Sequence, residues 1–362
     1  MLKSFCEIRD FFYFLSRKTK LCNYFPIAEV QDAKKLVLFI LPKREIIGGG
    51  VLSIFSIAKY TKRLLPDYRV FFVTEKGKAQ YDKITWFDND EKIFKWERVI
   101  RSLSGVDRLL IHIPEFMTRN FYDRLSKRDV KILRKVPHLQ INILNQNSKL
   151  LSSVDDVKKL FRLTDFVTQT VAFERDVQQS FANKYNMPIT FISSFLDLSK
   201  YKVVPFEEKE KLIVLSPDVC PVRDSLIDSL KKELSDYRIE VVNNMSFENY
   251  MDLISRAFAV ITLGEGFDGY LLQPSIVKTL SFAVYNSDFF PDSEFLNLMN
   301  IYKSYDDLMQ NIIGDITELS LDKEKYYTVI NELRRLDNCH SEEIHVSLLN
   351  DFYNQKYNFI PQ

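Results

Sequence analysis

Residues 35–50 read KLVLFILPKREIIGGG, and the order of features in that stretch decides the fold class. Lys35–Leu41 is a continuous apolar run, as a strand needs when both of its faces are covered. It leads to Gly48-Gly49-Gly50, and a helical pattern follows over 51–65. A strand, a glycine-rich turn and a helix form the opening unit of a parallel α/β sheet. Small residues at that turn let a ligand approach the backbone and the positive end of the helix dipole. The triplet is not G-x-G-x-x-G, and no Gly-Lys-Ser/Thr follows it, so it is neither a dinucleotide fingerprint nor a P-loop.

Outward from this unit the alternation continues. Strands are expected at 68–74, 84–87, 108–113, 139–144, 165–170 and 188–193, with helices at 91–103, 119–125, 130–134, 153–163 and 174–185. Residues 197–210 are charged and aperiodic, as in a linker. The pattern then restarts, with strands at 212–215, 238–242, 257–263 and 282–285. The helices of this half are expected at 224–234, 247–256, 274–280, 305–314, 323–335 and 341–357. The reading is α/β, with two Rossmann-like domains over 35–197 and 211–340. A linker over 198–210 joins them, a helical segment over 1–34 precedes them, and a C-terminal helix and tail over 341–362 follow. Ligands of open α/β sheets bind outside the carboxyl ends of the strands, so residues that follow strands are the ones to watch.

Composition narrows the function. The 362 residues are 46% hydrophobic, which permits packed cores, and the length suggests two domains. Lys+Arg is 50 against Asp+Glu 49, and this balance argues against a nucleic-acid partner, which selects a basic excess. Four cysteines without a CxxC pair fit a reducing compartment, and no secretory signal or spanning segment is evident. A cytoplasmic location is expected, extending to the inner face of a membrane. Phe11-Phe12-Tyr13-Phe14-Leu15 followed by Arg17, Lys18 and Lys20 reads either as a packed helix or as an interfacial helix on anionic headgroups. Asp88-Asn89-Asp90 has the D-x-D form of a metal site but reads as a polar turn, and no metal site is expected.

Glycine is scarce, at nine residues, and three of the nine are Gly264, Gly266 and Gly269. They lie in Leu263-Gly264-Glu265-Gly266-Phe267-Asp268-Gly269-Tyr270-Leu271-Leu272-Gln273-Pro274, between an expected strand and a helix. Backbone N–H groups at a helix start favour an anion such as a diphosphate, and Glu265 can accept from sugar hydroxyls. The plain alternative is a tight turn with a capping carboxylate.

This stretch resembles the retaining family-4 glycosyltransferases, whose C-terminal domain carries an E-x7-E motif, typically EGFG, apolar residues and a second Glu. Here Glu265-Gly266-Phe267-Asp268 is followed at the matching position by Gln273, so the second Glu is replaced. The resemblance implies that Glu265 contacts the donor sugar, that Gln273 meets the ribose and that Gly266 and Phe267 shape the donor pocket. An amide still hydrogen-bonds a diol, less strongly than a carboxylate. Residues 241–261 are similar to the family's base-binding loop and the helix after it, which puts Asn244 near the nucleobase. Residues 215–223 stand where the family has an Arg and a Lys for the diphosphate. Arg223 falls on the Lys position and Pro217 on the Arg position, and the alternative for Arg223 is a solvated or capping side chain. The family has a Gly-rich loop in the place of Gly48, Gly49 and Gly50. It often has a histidine at the strand end occupied by His112, near the reacting sugar; a register two residues later would put Pro114 there, and a structural histidine is the alternative. Glu115 and Asn145-Gln146-Asn147 end neighbouring strands and would face the acceptor, with turn and cap chemistry as the alternative.

The resemblance covers about residues 35–290 and is specific around 241–275. It implies the GT-B architecture, two Rossmann-like domains facing across a cleft, with the last helix returning to the first domain. It also implies transfer of a sugar from a nucleotide sugar, the only co-substrate, to a hydroxyl of a glycan or glycolipid. Retention, no metal and a place in bacterial-type surface-polysaccharide synthesis go with it. Two other readings stay open. One is a sugar-nucleotide epimerase on the same architecture. The other is a non-catalytic glycan-binding or assembly protein derived from such an enzyme, motivated by Gln273 and Pro217.

Overall fold

Strand β1 (Lys35–Leu41) sits inside a seven-stranded sheet of order β3-β2-β1-β4-β5-β6-β7. The other members are β2 (Arg69–Thr74), β3 (Ile93–Lys95), β4 (Arg108–Pro114), β5 (His138–Asn145), β6 (Val167–Val171) and β7 (Ile189–Phe191). Every pairing between them is parallel. The computed structural model describes residues 27–77, 80–173, 177–337 and 340–362. The aromatic and basic stretch at 11–20 lies outside the described residues. Among the described residues no helix is long and apolar enough to cross a membrane.

The unbroken apolar run of β1 follows from burial on both faces. Leu36, Leu38 and Ile40 join one core with Ile111, Ile113, Ile141 and Ile143. Phe39 points the other way, 5.8 Å from Phe72 and stacked at 4.5 Å on His112. Helices α1 (Ala28–Gln31), α2 (Gly49–Leu64), α3 (Trp96–Arg101), α4 (Glu115–Arg124), α5 (Lys127–Leu133), α6 (Val154–Leu160) and α7 (Gln179–Tyr185) belong to this half.

A second parallel sheet has the order β12-β11-β10-β8-β9. Its strands are β8 (Glu210–Leu215), β9 (Arg238–Val241), β10 (Ala257–Ile261), β11 (Leu280–Val284) and β12 (Ile301–Tyr302). Alternate residues serve two cores. Ile213, Leu215, Ala259 and Ile261 face one, and Leu212, Val214, Ala257 and Val260 face the other. Helices α8 (Arg223–Glu233), α9 (Phe247–Arg256), α10 (Gly269–Ile276), α11 (Tyr305–Leu321) and α12 (Lys323–Leu336) accompany it. Period-two burial on both faces makes each half a doubly wound layer.

The chain divides into two units, one of residues 1–84, 89–194 and 343–362, the other of residues 85–88 and 195–342. The last helix, α13 (Glu342–Tyr353), therefore belongs to the first unit apart from its first residue. Its Phe352 lies 5.9 Å from His112, and the tail beyond pairs Phe359 antiparallel with Ile189 on the edge strand β7.

Several elements differ from the sequence expectation. Residues 84–87 form no strand, and the edge strand is β3 at 93–95, where a helix was expected to have begun. Thr85–Asp88 instead join the second unit, with Trp86 and Phe87 buried. There the Trp86 carbonyl accepts from Phe247 N–H at 2.7 Å, and Asp88 N–H donates to Glu248 at 2.7 Å. The helix expected at 274–280 begins at Gly269, because Asp268 caps it and Pro274 is accommodated inside it.

Candidate functional site

Strand β10 ends at Ile261, and a loop runs from Thr262 to Asp268 before α10 begins. Gly266 turns this loop. Its φ is +81°, and a Cβ there would lie 2.5 Å from the Val284 carbonyl oxygen, so both conformation and space require glycine. Phe267, expected among the donor-binding residues, is buried against Phe290 and Phe295 at 5.3 and 5.2 Å and anchors the loop from beneath. Glu265 stays half-buried on the loop.

Asp268 is the N-cap of α10. Its Oδ1 accepts from the backbone N–H of Tyr270 at 2.8 Å and of Leu271 at 3.2 Å, and Oδ2 accepts from Thr262 Oγ1 at 3.0 Å. Burial pushes its carboxyl up to about 7, and nearby Asp218 adds to the shift. This corrects the expectation that the amides of this helix start are open to a diphosphate. Two of them are held by the protein's own carboxylate. Asp218 also packs on Gly264, where a Cβ would come within 2.6 Å of its carboxyl carbon.

Arg223 is the first residue of α8, which follows the loop after β8. The N-cap position, Val222, supplies no side-chain acceptor to this helix. Arg223 Nη1 donates to the Pro217 carbonyl at 3.3 Å, while its Nε is enclosed without a hydrogen-bond partner. Ser216 Oγ accepts from Leu263 N–H at 3.0 Å and ties the β8 and β10 loops together. Gln273 folds its amide back over Gly269, where a Cβ would meet Nε2 at 2.7 Å. Asn244 is exposed in the loop after β9 with φ of +43°, a left-handed conformation that asparagine tolerates. Glu265, Arg223, Gln273 and Asn244 thus follow the carboxyl ends of adjacent strands of one sheet.

In the first unit, Gly48 is the N-cap of α2 and no side chain caps that helix. A Cβ on Gly48 or Gly49 would meet nothing within 4 Å, whereas one on Gly50 would lie 2.8 Å from Gln146 Oε1. Gln146 Nε2 is buried without a partner. Glu115 opens α4 at the end of β4 and is 2% exposed. Burial pushes its carboxyl up to about 7, against the opposing pull of backbone N–H groups at Glu115, Gln146 and Asn147. Its Oε2 has no partner. Asn145 is buried, with Nδ2 donating to Gln169 Oε1 at 3.3 Å.

His112 is placed differently from the expectation of a strand-end residue near a reacting sugar. Strand β4 continues to Pro114, so His112 lies inside the sheet, in register with Phe39 and Asn142. It has no exposed surface, and burial pulls its pKa down to about 3. Nδ1 pairs with Asn142 Nδ2 at 3.1 Å, and Asn142 continues to Thr168 and Thr170. The neutral histidine thus sits in a buried polar row, with its Nε2 enclosed and without a hydrogen-bond partner. The sequence reading assigns Asp218 no role, and the capping carboxylate it offers as the alternative for the turn before α10 is Asp268, an Asp immediately before a helix.

No family model matches the sequence, and no curated protein matches it. Solved structures do match. The catalytic domain of starch synthase IV from Arabidopsis thaliana, bound to ADP and acarbose, matches with a TM-score of 0.57 and 9% identity, over 90% of this chain and 99% of that one. An alpha-glucosyltransferase in complex with UDP and a 13-mer DNA containing a HMU base matches with a TM-score of 0.54 and 9% identity, over 89% and 99%. The fold is GT-B. A UDP-GlcNAc 2-epimerase from Neisseria meningitidis, bound to UDP-GlcNAc, matches with a TM-score of 0.50 and 10% identity, over 89% and 99%. At these identities the likeness establishes the GT-B fold alone, and its two sheets are the two Rossmann-like layers described above.

Proposed function

We infer that this chain is a sugar-nucleotide-dependent glycosyltransferase that moves a sugar to a hydroxyl of a glycan or glycolipid acceptor. The observation that carries the reading is the β10–α10 loop. Gly266, at φ +81° beneath Val284, holds Glu265 at the carboxyl edge of the second sheet, beside a helix start that carries Arg223. Nucleotides bound to proteins of the same fold, UDP and ADP, support it.

In this reading Glu265 accepts from donor-sugar hydroxyls, Arg223 and the open start of α8 meet the diphosphate, Gln273 meets the ribose and Asn244 the base. Gly48, Gly49 and Gly50 leave the start of α2 open to the diphosphate or the acceptor. Glu115 and the end of β5 at Asn145 face the acceptor. The protein contributes positioning and stabilisation of the leaving diphosphate, without a metal, and retention and a role in surface-polysaccharide synthesis go with the family resemblance.

The test is thermal shift with UDP, ADP, GDP and their sugars, since a ligand of the folded state raises the melting temperature. One nucleotide should shift it, and Arg223→Ala should remove that shift. No shift from any of them at millimolar concentration would refute the donor site.

A second reading is a non-catalytic derivative. It is favoured by Asp268, which holds two amides of the α10 start. Nucleotide binding without transfer to any of a panel of glycan acceptors would favour it, and a product formed from the donor alone would favour an epimerase instead.

A further inference from the structure

In the first unit, helices α4 and α5 enclose a groove of about 650 Å³. Lys127, Lys131, Arg134 and Lys135 line it, with Tyr122 and Asp123 opposite. Lys127 and Lys131 stand at i and i+4 of α5, on one face and about 6 Å apart along its axis, and Arg134 and Lys135 follow in the turn that ends it.

The charges of this groove are not answered from within. Lys127, Lys131 and Lys135 are exposed and make no ion pair among the described residues. Asp123, the acidic residue of the lining, is already held by Lys159 at 2.6 Å. Asp129, the acidic residue of α5 itself, turns inward to cap the helix and to pair with Lys76 at 2.6 Å. Arg134 Nε donates to the Arg162 carbonyl at 2.7 Å, and the Arg162 guanidinium lies 5.5 Å from the Tyr122 ring centre. A net +1 chain thus concentrates cations in one concave place.

We propose that this groove binds an anionic polysaccharide, a carbohydrate chain with about one carboxylate or phosphate per residue. The proposal rests on the reading of the protein as acting on glycans. Two other polyanions fit the groove less well. Single-stranded nucleic acid is held by stacking of bases on open aromatic faces, and the one ring here, Tyr122, already has Arg162 over it. A membrane surface is met by protruding apolar side chains, and none of the exposed large apolar residues lines the groove.

The test is binding of fluorescent oligogalacturonate to the full chain at two salt concentrations. Binding should be measurable at low salt, weaken steeply as salt rises and fall at least about tenfold in a Lys127→Glu/Lys131→Glu/Lys135→Glu variant. Should charge reversal unfold the chain, the triple Gln variant carries the same expectation. Undiminished binding by the variant overturns the proposal, as does absence of binding at low salt. So does tighter binding, through the same lysines, of a single-stranded oligonucleotide or of phosphatidylglycerol vesicles. The nucleotide-induced thermal shift of the variant should equal that of the wild type. Loss of the donor site would remove that shift and leave the groove measurement standing.

Discussion

Three helices follow the carboxyl ends of strands with glycine or arginine at their starts, and they do not present the same surface. At α10 the carboxylate of Asp268 takes the Tyr270 and Leu271 amides. At α2 and α8 the N-cap residues, Gly48 and Val222, offer no side-chain acceptor. The helix dipole is common to all three, and what differs is whether the amides are already hydrogen-bonded. A helix start in a Rossmann-like layer is thus an anion site only where the chain leaves it uncapped.

The largest expected effect lies in the turn that presents the capped helix. Gly266→Ala should destabilise the second unit by about 3 kcal/mol or more, because the conformation and the Val284 carbonyl both oppose a Cβ. Denaturant unfolding measures this, and a loss under 1 kcal/mol would mean that the loop relaxes freely. Next comes Glu265→Ala, expected to lower transfer activity about 100-fold with little change in melting temperature. Wild-type turnover by that variant would remove Glu265 from the donor site.

Two substitutions exchange the character of the helix starts. Asp268→Gly frees two amides and removes an anion, at a folding cost of a few tenths of a kcal/mol, since glycine is an acceptable N-cap. Nucleoside diphosphate affinity should rise about fivefold. Gly49→Asp, at a position with open space around it, should lower that affinity by a similar factor without loss of stability. Titration calorimetry reads both, and equal affinities in all three proteins would separate the nucleotide from these helices.

The last effect is a pH dependence. In the folded chain Asp268 titrates at about 7, well above an unfolded aspartate. Between about pH 4 and 7 the folded state therefore holds a proton that the unfolded state has released, so this group's contribution to stability falls as pH rises and levels off above 7. Asp268→Asn keeps an oxygen for the cap and cannot ionise. Its stability relative to wild type should grow between pH 5 and 7 by at most about 1.4 kcal/mol per pH unit. A constant difference would show that the carboxyl is ionised throughout.

The parts of the fold that were legible are those where burial imposes a pattern on consecutive residues. Lys35–Leu41 and Ala257–Ile261 are buried on both faces and read as apolar runs. The short edge strands β3 and β12 carry no such pattern, because pairing on one side alone holds them. Nothing local marks Thr85–Asp88 as part of the other unit, since Trp86 and Phe87 require burial without specifying where. At the candidate site the need for glycine at 266 was legible from its rarity in the chain. The burial of His112 was not, because whether a strand ends at 112 or at 114 depends on the register of its neighbours.

Helix α13 supplies residues to the unit that β1 begins. Phe352 packs near His112, and the Tyr353 hydroxyl bonds to Thr61 on α2. During synthesis on the ribosome, α2 can cover the face of the first sheet that carries Phe39 and His112 early, with Phe55 stacked on Phe72, whereas Phe352 and Tyr353 reach it only after the whole second unit has emerged. The unit that β1 begins is thus completed later than the unit inserted into it.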